Sequence, residues 1–209
     1  MAVATETSLL LALEDRGEED PVLDWADIFG NENPVEIEMG IGKGRFLMDA
    51  ARRRPETNFL GVEWASKYLR LCHTRSLRRG LPNIRLARAD ARELVEFLCA
   101  AESVAAFHLY FPDPWPKKRH HKRRLFNAEF LREATRALVV GGLFWIATDH
   151  DEYFEVMEGV LAGQEALVPV ERPWEGTTTN YEDKFAAKGK DIHRLVLQKA
   201  SASPQETQP

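Results

Sequence analysis

The sequence predicts an α/β fold: an open, doubly wound, mostly parallel sheet of seven strands. From residue 35 onward, short apolar runs alternate with longer segments of helical periodicity. Single helices separate the first five runs, which indicates parallel pairing through right-handed crossovers. The last two runs lack a clear helix between them, so we expect an antiparallel hairpin at one edge of the sheet.

Each strand is predicted from an apolar run that turn residues bound on both sides. A glycine-rich turn follows the first run, and glycines, prolines or polar residues separate the others from their helices. The seven predicted strands are Val35–Met39, Asn58–Val62, Ile84–Ala89, Val104–Phe111, Leu143–Thr148, Ala166–Glu171 and Ile192–Gln198.

The helices are predicted from their periodicity and from start and stop signals. Pro55 stops the first helix, and Gly80 with Pro82 stops the second. Asn127 caps the fourth helix, and the pair at positions 141–142 closes it. The predicted helices are Gly44–Arg53, Ala65–Arg79, Arg92–Leu98, a segment from Asn127 to Leu138, and Asp151–Leu161.

Charge is distributed unevenly along the 209 residues. The formal net charge is −5, but residues 1–38 hold eleven acids and one base, so the remainder carries +5. We expect residues 1–30 to form an acidic, partly disordered extension and residues 31–199 to form one domain. The polar tail 200–209 is expected to be disordered.

The composition also excludes several classes of protein. At 44% hydrophobic residues the chain can build a core, yet no apolar stretch approaches the roughly 18 residues of a membrane span. No basic segment precedes an apolar run at the start, so we expect no secretory signal. Cys72 and Cys99 have no ligand-like neighbours. They are therefore predicted to be reduced structural thiols in a cytoplasmic protein that binds neither membrane nor metal.

One dense cationic segment runs from Lys117 to Arg124. It places six fixed positive charges in eight positions with no acid among them. Because the segment follows two prolines and a strand, we expect a loop, and its charge favours a polyanionic partner. Arg75, Arg78 and Arg79 instead lie on a predicted helix, where a solvated face is the expectation and RNA contact the alternative.

Acids occur at the ends of the first four predicted strands. They are Glu38, Glu63, Asp90 and Asp113. In open α/β sheets, ligands bind beyond the carboxyl ends of the strands, near the switch in strand order. A single acid there is more often a helix N-cap or a surface carboxylate, but four in succession indicate a ligand site.

The turn after the first strand suggests which ligand binds there. Its glycines let the backbone turn sharply and approach a ligand closely. The spacing is G-x-G-x-G, because position 45 is Arg, and Glu38 lies beside the turn. An acid there favours a cationic ligand without phosphate, such as S-adenosylmethionine, with Glu63 on the ribose hydroxyls and Asp90 near the adenine amino group. A nicotinamide-dependent oxidoreductase is the alternative.

One block of the sequence closely resembles the signature of bacterial tRNA (guanine-N7-)-methyltransferases. It reads Phe111-Pro112-Asp113-Pro114-Trp115-Pro116-Lys117-Lys118-Arg119-His120 and is followed by Lys122-Arg123-Arg124. Four other blocks resemble that family in the family's order: Glu38 with the glycine turn, residues 61–63, Thr148-Asp149, and residues 179–185. The resemblance covers about residues 30–199. It implies a Rossmann-like class I methyltransferase fold and methyl transfer from S-adenosylmethionine to N7 of tRNA guanosine 46, with S-adenosylhomocysteine as product.

The same resemblance implies roles for individual residues. Asp113 matches a position proposed as catalytic. The residues expected at the cofactor are Glu38, Gly40, Gly42, Gly44, Glu63, Asp90 and Asp113. Those expected at the substrate are Lys117, Asp149, Thr179, Asn180, Tyr181 and Glu182. Lys118, Arg119, Lys122, Arg123 and Arg124 are expected to contact the RNA backbone.

The chemistry of this reaction suits such a site. Guanine N7 has an in-plane lone pair, so the site needs a carboxylate beside the developing purine cation and not a strong base. Trp115 is expected either to stack on the base or to pack in the core. A non-catalytic RNA-binding protein is a further alternative. The expected partner is tRNA, and the expected state is a monomer or homodimer.

Overall fold

The computed structural model describes residues 9–13, 18–174 and 191–201, and these residues form an eight-stranded sheet with helices on both faces. The strands are β1 Leu10–Ala12, β2 Val35–Met39, β3 Asn58–Val62, β4 Ile84–Arg88, β5 Val104–Tyr110, β6 Leu138–Thr148, β7 Leu167–Pro169 and β8 His193–Lys199. The helices are α1 Trp25–Phe29, α2 Arg45–Arg53, α3 Ser66–Arg79, α4 Ala91–Glu93 with a π-helical continuation Leu94–Leu98, a 3₁₀-helix Lys118–Arg123, α5 Ala128–Ala137 and α6 Asp151–Leu161.

The strand order confirms the predicted doubly wound topology. Along the sheet the order is β1-β4-β3-β2-β5-β6-β8-β7. Strands β1 to β6 pair in parallel, whereas β8 is antiparallel to both β6 and β7. The chain therefore winds outward from β2 in both directions, and the switch in strand order lies between β2 and β5.

The acidic extension contributes an eighth strand that was not predicted. Strand β1 pairs with β4, and Leu86 N–H donates to the Leu9 carbonyl at 2.8 Å. Leu13 and Leu23 are buried in the core. This part of the extension thus belongs to the domain. The disorder predicted for residues 1–8 and 202–209 lies outside the described residues.

Two apolar layers enclose the sheet. On one face, α1, α4, α5 and α6 pack through residues such as Phe29, Leu131 and Tyr153. On the other face, α2 and α3 pack through residues such as Leu47 and Cys72. This arrangement leaves the carboxyl ends of the parallel strands and their loops free to build a site.

Two local predictions were wrong. Strand β6 begins at Leu138, five residues earlier than expected, because residues 141–142 form an irregularity inside the strand and not a helix stop. A Cβ at Gly142 would lie 2.8 Å from the Val139 carbonyl oxygen, so only glycine fits there. The cationic segment, predicted to be a loop, contains the 3₁₀-helix.

Both cysteines are free and buried, as predicted. Burial raises the pKa of each thiol to about 12, so both stay protonated at neutral pH. None of the helices in the described ranges is long and apolar enough to cross a bilayer.

Gly61 sets how closely α2 approaches the sheet. A Cβ there would lie 2.6 Å from Leu47 Cδ2 and 3.0 Å from Leu86 Cδ2, both in the core. We expect Gly61→Ala to lower the free energy of unfolding by about 1–3 kcal/mol through overpacking. Denaturant titration checks this value.

Gly159 provides the matched control. It lies in α6, and a Cβ there would meet nothing within 4 Å. Gly159→Ala should therefore raise the free energy of unfolding by about 0.5–1 kcal/mol. Equal effects of the two substitutions would show that Gly61 does not limit the packing of α2.

Candidate active site

A cleft of about 520 Å³ opens beside the switch point, at the carboxyl ends of β2, β3 and β5. Small-molecule sites typically measure about 300–1,000 Å³. Three of the predicted acids, Glu38, Glu63 and Asp113, line this cleft together with Gly40 and Gly42. The fold thus brings together residues from three separate strand ends.

The glycine turn forms the floor of the cleft. Gly40, Gly42 and Gly44 have φ angles of 76°, 50° and 67°, which residues with a Cβ rarely adopt. A Cβ at Gly44 would lie 2.6 Å from Cys72 Sγ, whereas at Gly40 and Gly42 it would meet no protein atom within 4 Å. The first two glycines therefore leave room for a ligand, and the third lets α2 begin against α3.

Glu63 supports the turn from the end of β3. Its Oε2 accepts a hydrogen bond from Gly42 N–H at 2.9 Å, and its Oε1 accepts one from Ala65 N–H at 2.8 Å. Each carboxylate oxygen has a second acceptor site. The side chain is thus held in place and can still accept two hydroxyl groups from a ligand, which fits the predicted ribose contact.

Glu38 is a buried acid that lacks a compensating charge. It is 4% exposed, and its Oε2 has no hydrogen-bond partner among the described residues. Burial raises the pKa of Glu38 to about 8, the Leu47 backbone N–H opposes this rise, and the nearby Glu63 charge adds to it. Buried polar atoms rarely lack a partner, so Glu38 Oε2 is a candidate contact for a ligand in the cleft. The positive charge of S-adenosylmethionine fits this contact.

A strained loop after β5 carries Asp113. Phe111 and Trp115 have φ angles of 52° and 44°, a left-handed conformation that costs about 1–3 kcal/mol for residues other than glycine. Phe111 N–H donates to the Ala147 carbonyl at 2.7 Å, so β6 holds the strained residue. The loop brings the exposed Asp113 carboxylate to the rim of the cleft.

Tyr110, which the sequence analysis missed, lines the cleft and ends a buried polar chain. Its hydroxyl lies 2.8 Å from His108 Nδ1, and His108 Nε2 lies 2.9 Å from Glu36. Burial lowers the pKa of His108. Burial alone would raise the pKa of Glu36, but hydrogen bonds from His108 and Arg54, together with the Arg54 charge, lower it. Neutral His108 therefore donates to ionised Glu36 and accepts from Tyr110.

Asp90 does not line the cleft. It is exposed, and its Oδ1 accepts a hydrogen bond from Arg92 N–H at 2.8 Å, so it is the N-cap of α4. Strand β4 lies two positions from β2 in the sheet, which explains the separation. Its contact with the cofactor stays a prediction.

The 3₁₀-helix presents most of the predicted RNA-binding cations to solvent. Lys118, Arg119, Lys122 and Arg123 are exposed, as is Lys117 just before them. Trp115 packs against this helix: the Arg123 guanidinium lies 5.0 Å from the Trp115 ring centre, and the His120 ring lies at 5.8 Å. Trp115 thus packs against the cationic segment through Arg123 and His120.

Arg124 is a correction to the predicted RNA-binding set. It is 3% exposed, donates to the Pro114 carbonyl at 2.8 Å and to Glu152 at 3.0 Å, and lies 4.8 Å from the Tyr153 ring centre. These contacts enclose the guanidinium, so it cannot reach a phosphate in this structure. Arg124 instead ties the Asp113 loop to α6.

The remaining predicted substrate residues lie beyond β6 or outside the described residues. Asp149 directly follows β6 and is half-buried. Thr179, Asn180, Tyr181 and Glu182 lie outside the described residues. In the described ranges, no group of three or more His, Cys, Asp and Glu side chains could hold a metal ion, and the absence of a metal stays a prediction.

Arg123 and Arg124 form a matched pair for a stability test. Arg124→Gln removes charged hydrogen bonds worth about 1–3 kcal/mol, so the free energy of unfolding should fall by that amount. Arg123→Gln removes an exposed ring contact worth less than about 1 kcal/mol. Thermal and denaturant unfolding measure the loss of stability in each variant. An equal loss in the two variants would contradict the assignment of Arg124 as a buried link between the Asp113 loop and α6.

Comparisons with known proteins agree with this geometry. Residues 32–195 match a family model described as "Putative methyltransferase". The tRNA (guanine-N(7)-)-methyltransferase of Aliivibrio fischeri is 39% identical over 183 residues, which cover 84% of this chain and 74% of the relative. That of Geobacillus thermodenitrificans is 37% identical over 177 residues, covering 81% and 82%.

Solved structures support the fold. A SAM-dependent O-methyltransferase from Thermotoga maritima superposes with a TM-score of 0.56 at 15% identity, covering 88% of this chain and 69% of that chain. This likeness confirms the predicted class I methyltransferase architecture. With a carboxylate-lined cleft at the switch point and curated relatives above 30% identity across most of its length, the chain belongs to the tRNA (guanine-N7-)-methyltransferase family.

Proposed function

We propose that this chain transfers the methyl group of S-adenosylmethionine to N7 of the variable-loop guanosine of tRNA, position 46. One observation carries the proposal: a cleft that holds the unpaired buried carboxylate of Glu38 lies beside an exposed cationic helix. The cleft suits a cationic cofactor, and the helix suits a polyanionic substrate. The Asp113 loop connects the two.

The cofactor is held by residues at the ends of β2 and β3. Glu38 supplies the negative charge opposite the cofactor's cationic amino acid end, and Glu63 accepts the ribose hydroxyls. Gly40 and Gly42 have no side chains, so the ligand can contact their backbone at the floor of the cleft. Bound S-adenosylmethionine would supply an electrophilic methyl group, which the lone pair of guanine N7 can attack.

Asp113 acts on the guanine side of the cleft. N7 carries no proton, so Asp113 has none to remove, and its charge stabilises the positive charge that develops on the purine. The left-handed backbone at Phe111 and Trp115 shapes the loop that brings Asp113 to the cleft. Asp149, at the neighbouring strand end, and Glu182 are candidates to hold the polar edge of the base.

The exposed cations of the 3₁₀-helix contact RNA phosphates next to the target nucleotide. The base must leave its stack to enter the cleft, and phosphate contacts on either side hold the strand during this step. Lys117 comes first after the Asp113 loop, while Lys118, Arg119, Lys122 and Arg123 continue along the helix. Their exposure allows this role.

The direct test is incubation with tritiated S-adenosylmethionine and an unmodified tRNA transcript, followed by nucleoside analysis. We expect labelled 7-methylguanosine from position 46, and none from a transcript with adenosine at that position. Binding of tRNA without methylation would favour the non-catalytic alternative. Binding of a nicotinamide cofactor in place of S-adenosylhomocysteine would favour an oxidoreductase.

The raised pKa of Glu38 predicts a pH-dependent affinity for the cofactor. Below about pH 8 the free protein holds Glu38 largely protonated, whereas a cationic ligand favours the ionised form. Affinity for S-adenosylhomocysteine should therefore rise with pH, by up to about tenfold per unit, and level off near pH 8. Calorimetry below that pH, in buffers of different ionisation enthalpy, should show the release of about one proton.

Glu38→Gln is the matched variant for this measurement. It keeps the size of the side chain but has no proton to release, so both the proton release and the pH slope should disappear. The same slope in wild type and variant would assign the titration to another group.

Asp113→Asn tests the charge at the reacting base. At saturating cofactor and tRNA, the single-turnover rate should fall roughly 10²-fold, as when one preorganised electrostatic group is lost. The wild-type rate at saturation should be flat between about pH 7 and 9, because N7 needs no base. A defect that high cofactor concentration rescues would instead place Asp113 at the cofactor, and a log-linear rise of rate with pH would contradict N7 as the nucleophile.

A further inference from the structure

Helix α3 carries positive charge that the site described above does not use. Between Ser66 and Arg79 the sequence has five Lys and Arg residues and no acid. The helix buries Leu69, Cys72 and Ser76 against the sheet. At 100° per residue, Lys67, Arg70 and Arg78 fall on the opposite side, and all three are exposed. We call these three residues the α3 face.

The cations of the α3 face lack acidic partners. By contrast, Arg52 and Arg53 are paired with Asp49, and Arg132 is paired with Glu133. The three side chains of the α3 face form no ion pair and no hydrogen bond with any residue that the structure describes. Like charges along one side of a helix repel one another. Binding of a polyanion to the α3 face would relieve this repulsion.

The α3 face begins at the rim of the cleft. Ala65 and Tyr68, at the start of the helix, line the cleft, and Arg75 donates to the Lys43 carbonyl in the glycine turn at 3.1 Å. In the sheet, β2 separates β3, which leads into α3, from β5, which leads to the 3₁₀-helix. The two cationic elements therefore flank the cleft, and α3, about 21 Å long, contacts the glycine turn through Cys72 and Arg75.

An exposed aromatic residue lies in the sequence between Glu63 of the cleft and the start of α3. Trp64 directly follows Glu63 and is 60% exposed. The Arg88 guanidinium lies 5.3 Å from its ring centre. An exposed tryptophan among cations is typical of surfaces that stack single-stranded bases while neighbouring cations hold the backbone.

We infer that the α3 face is a second contact surface for the ribose-phosphate backbone of the substrate tRNA, on the side of the cleft opposite the 3₁₀-helix. This inference rests on the proposed function, because it takes tRNA as the polyanion. It assigns to Lys67, Arg70 and Arg78 the phosphates on one side of the target nucleotide, and to the 3₁₀-helix those on the other side. Trp64 stacks on an unpaired base between them.

The test is binding of an unmodified tRNA transcript at several salt concentrations. In the triple variant Lys67→Gln, Arg70→Gln, Arg78→Gln, the slope of log affinity against log salt should fall by about 2–3, since each phosphate contact contributes about 0.7–0.9. Affinity at low salt should fall roughly tenfold or more. Trp64→Leu should weaken binding but leave the slope unchanged, because stacking releases no counterion.

The control variant Arg52→Gln, Arg53→Gln, Arg132→Gln removes the same charge from cations that already have acidic partners. Its slope should stay within about one unit of the wild-type slope. All variants should keep wild-type melting temperatures and affinities for S-adenosylhomocysteine. A wild-type slope in the α3 variant, an equal loss in the control, or a loss confined to cofactor binding would each overturn the inference.

Failure of this inference is distinguishable from failure of the proposed function. The binding measurement requires no methyl transfer. A wild-type protein that forms 7-methylguanosine while the α3 variant keeps the wild-type slope would overturn only the inference. A protein that binds tRNA through the α3 face but forms no 7-methylguanosine would overturn only the proposed function.

Discussion

The buried carboxylate of Glu38 is the constraint on which the cleft depends. An ionised acid removed from water without a partner is costly, and such groups respond by binding a proton or an opposite charge. The topology leaves little freedom here, because β2 lies at the centre of the sheet and its carboxyl end faces the switch point. A cation that enters the cleft would favour the ionised form of Glu38 and supply the missing partner. The proposed contact with a cationic cofactor thus rests on one unpaired oxygen.

The walls of the cleft are held by interactions that reach well beyond it. On one side, Arg54, Glu36 and His108 form a buried chain that ends at Tyr110. On the other side, Arg124 joins the strained Asp113 loop to α6. It also directly follows the cationic 3₁₀-helix. Methyl transfer requires alignment of nucleophile and methyl carbon, and these supports limit the motion of the walls. The same arginine couples the position of Asp113 to the position of the cationic 3₁₀-helix.

Much of the fold and part of the site could be predicted from the sequence, and the failures have physical causes. The alternation of apolar runs with helical periods is a strong signal, so all seven strands from residue 35 onward are present. Strand β1 was missed because the five-residue apolar run 9–13 lies in an acidic segment and does not alternate with polar residues, and its pairing with β4 is a tertiary contact. Arg124 resembled its charged neighbours, since a run of like charges does not reveal which member turns inward. Asp90 follows a strand as predicted and caps α4 outside the cleft lining, so its contact with the cofactor stays a prediction.

The central claim is that Glu38 binds the cationic amino group of the cofactor, and a combined change of ligand and protein tests it most directly. Calorimetry would measure S-adenosylhomocysteine and its analogue without the amino group, each against wild type and Glu38→Gln, at a pH where Glu38 is ionised. Removal of the amino group should weaken binding to wild type by about tenfold or more, as for a charged hydrogen bond. In Glu38→Gln the same removal should cost little. An equal loss in both proteins would show that the amino group does not contact Glu38 and would contradict the account.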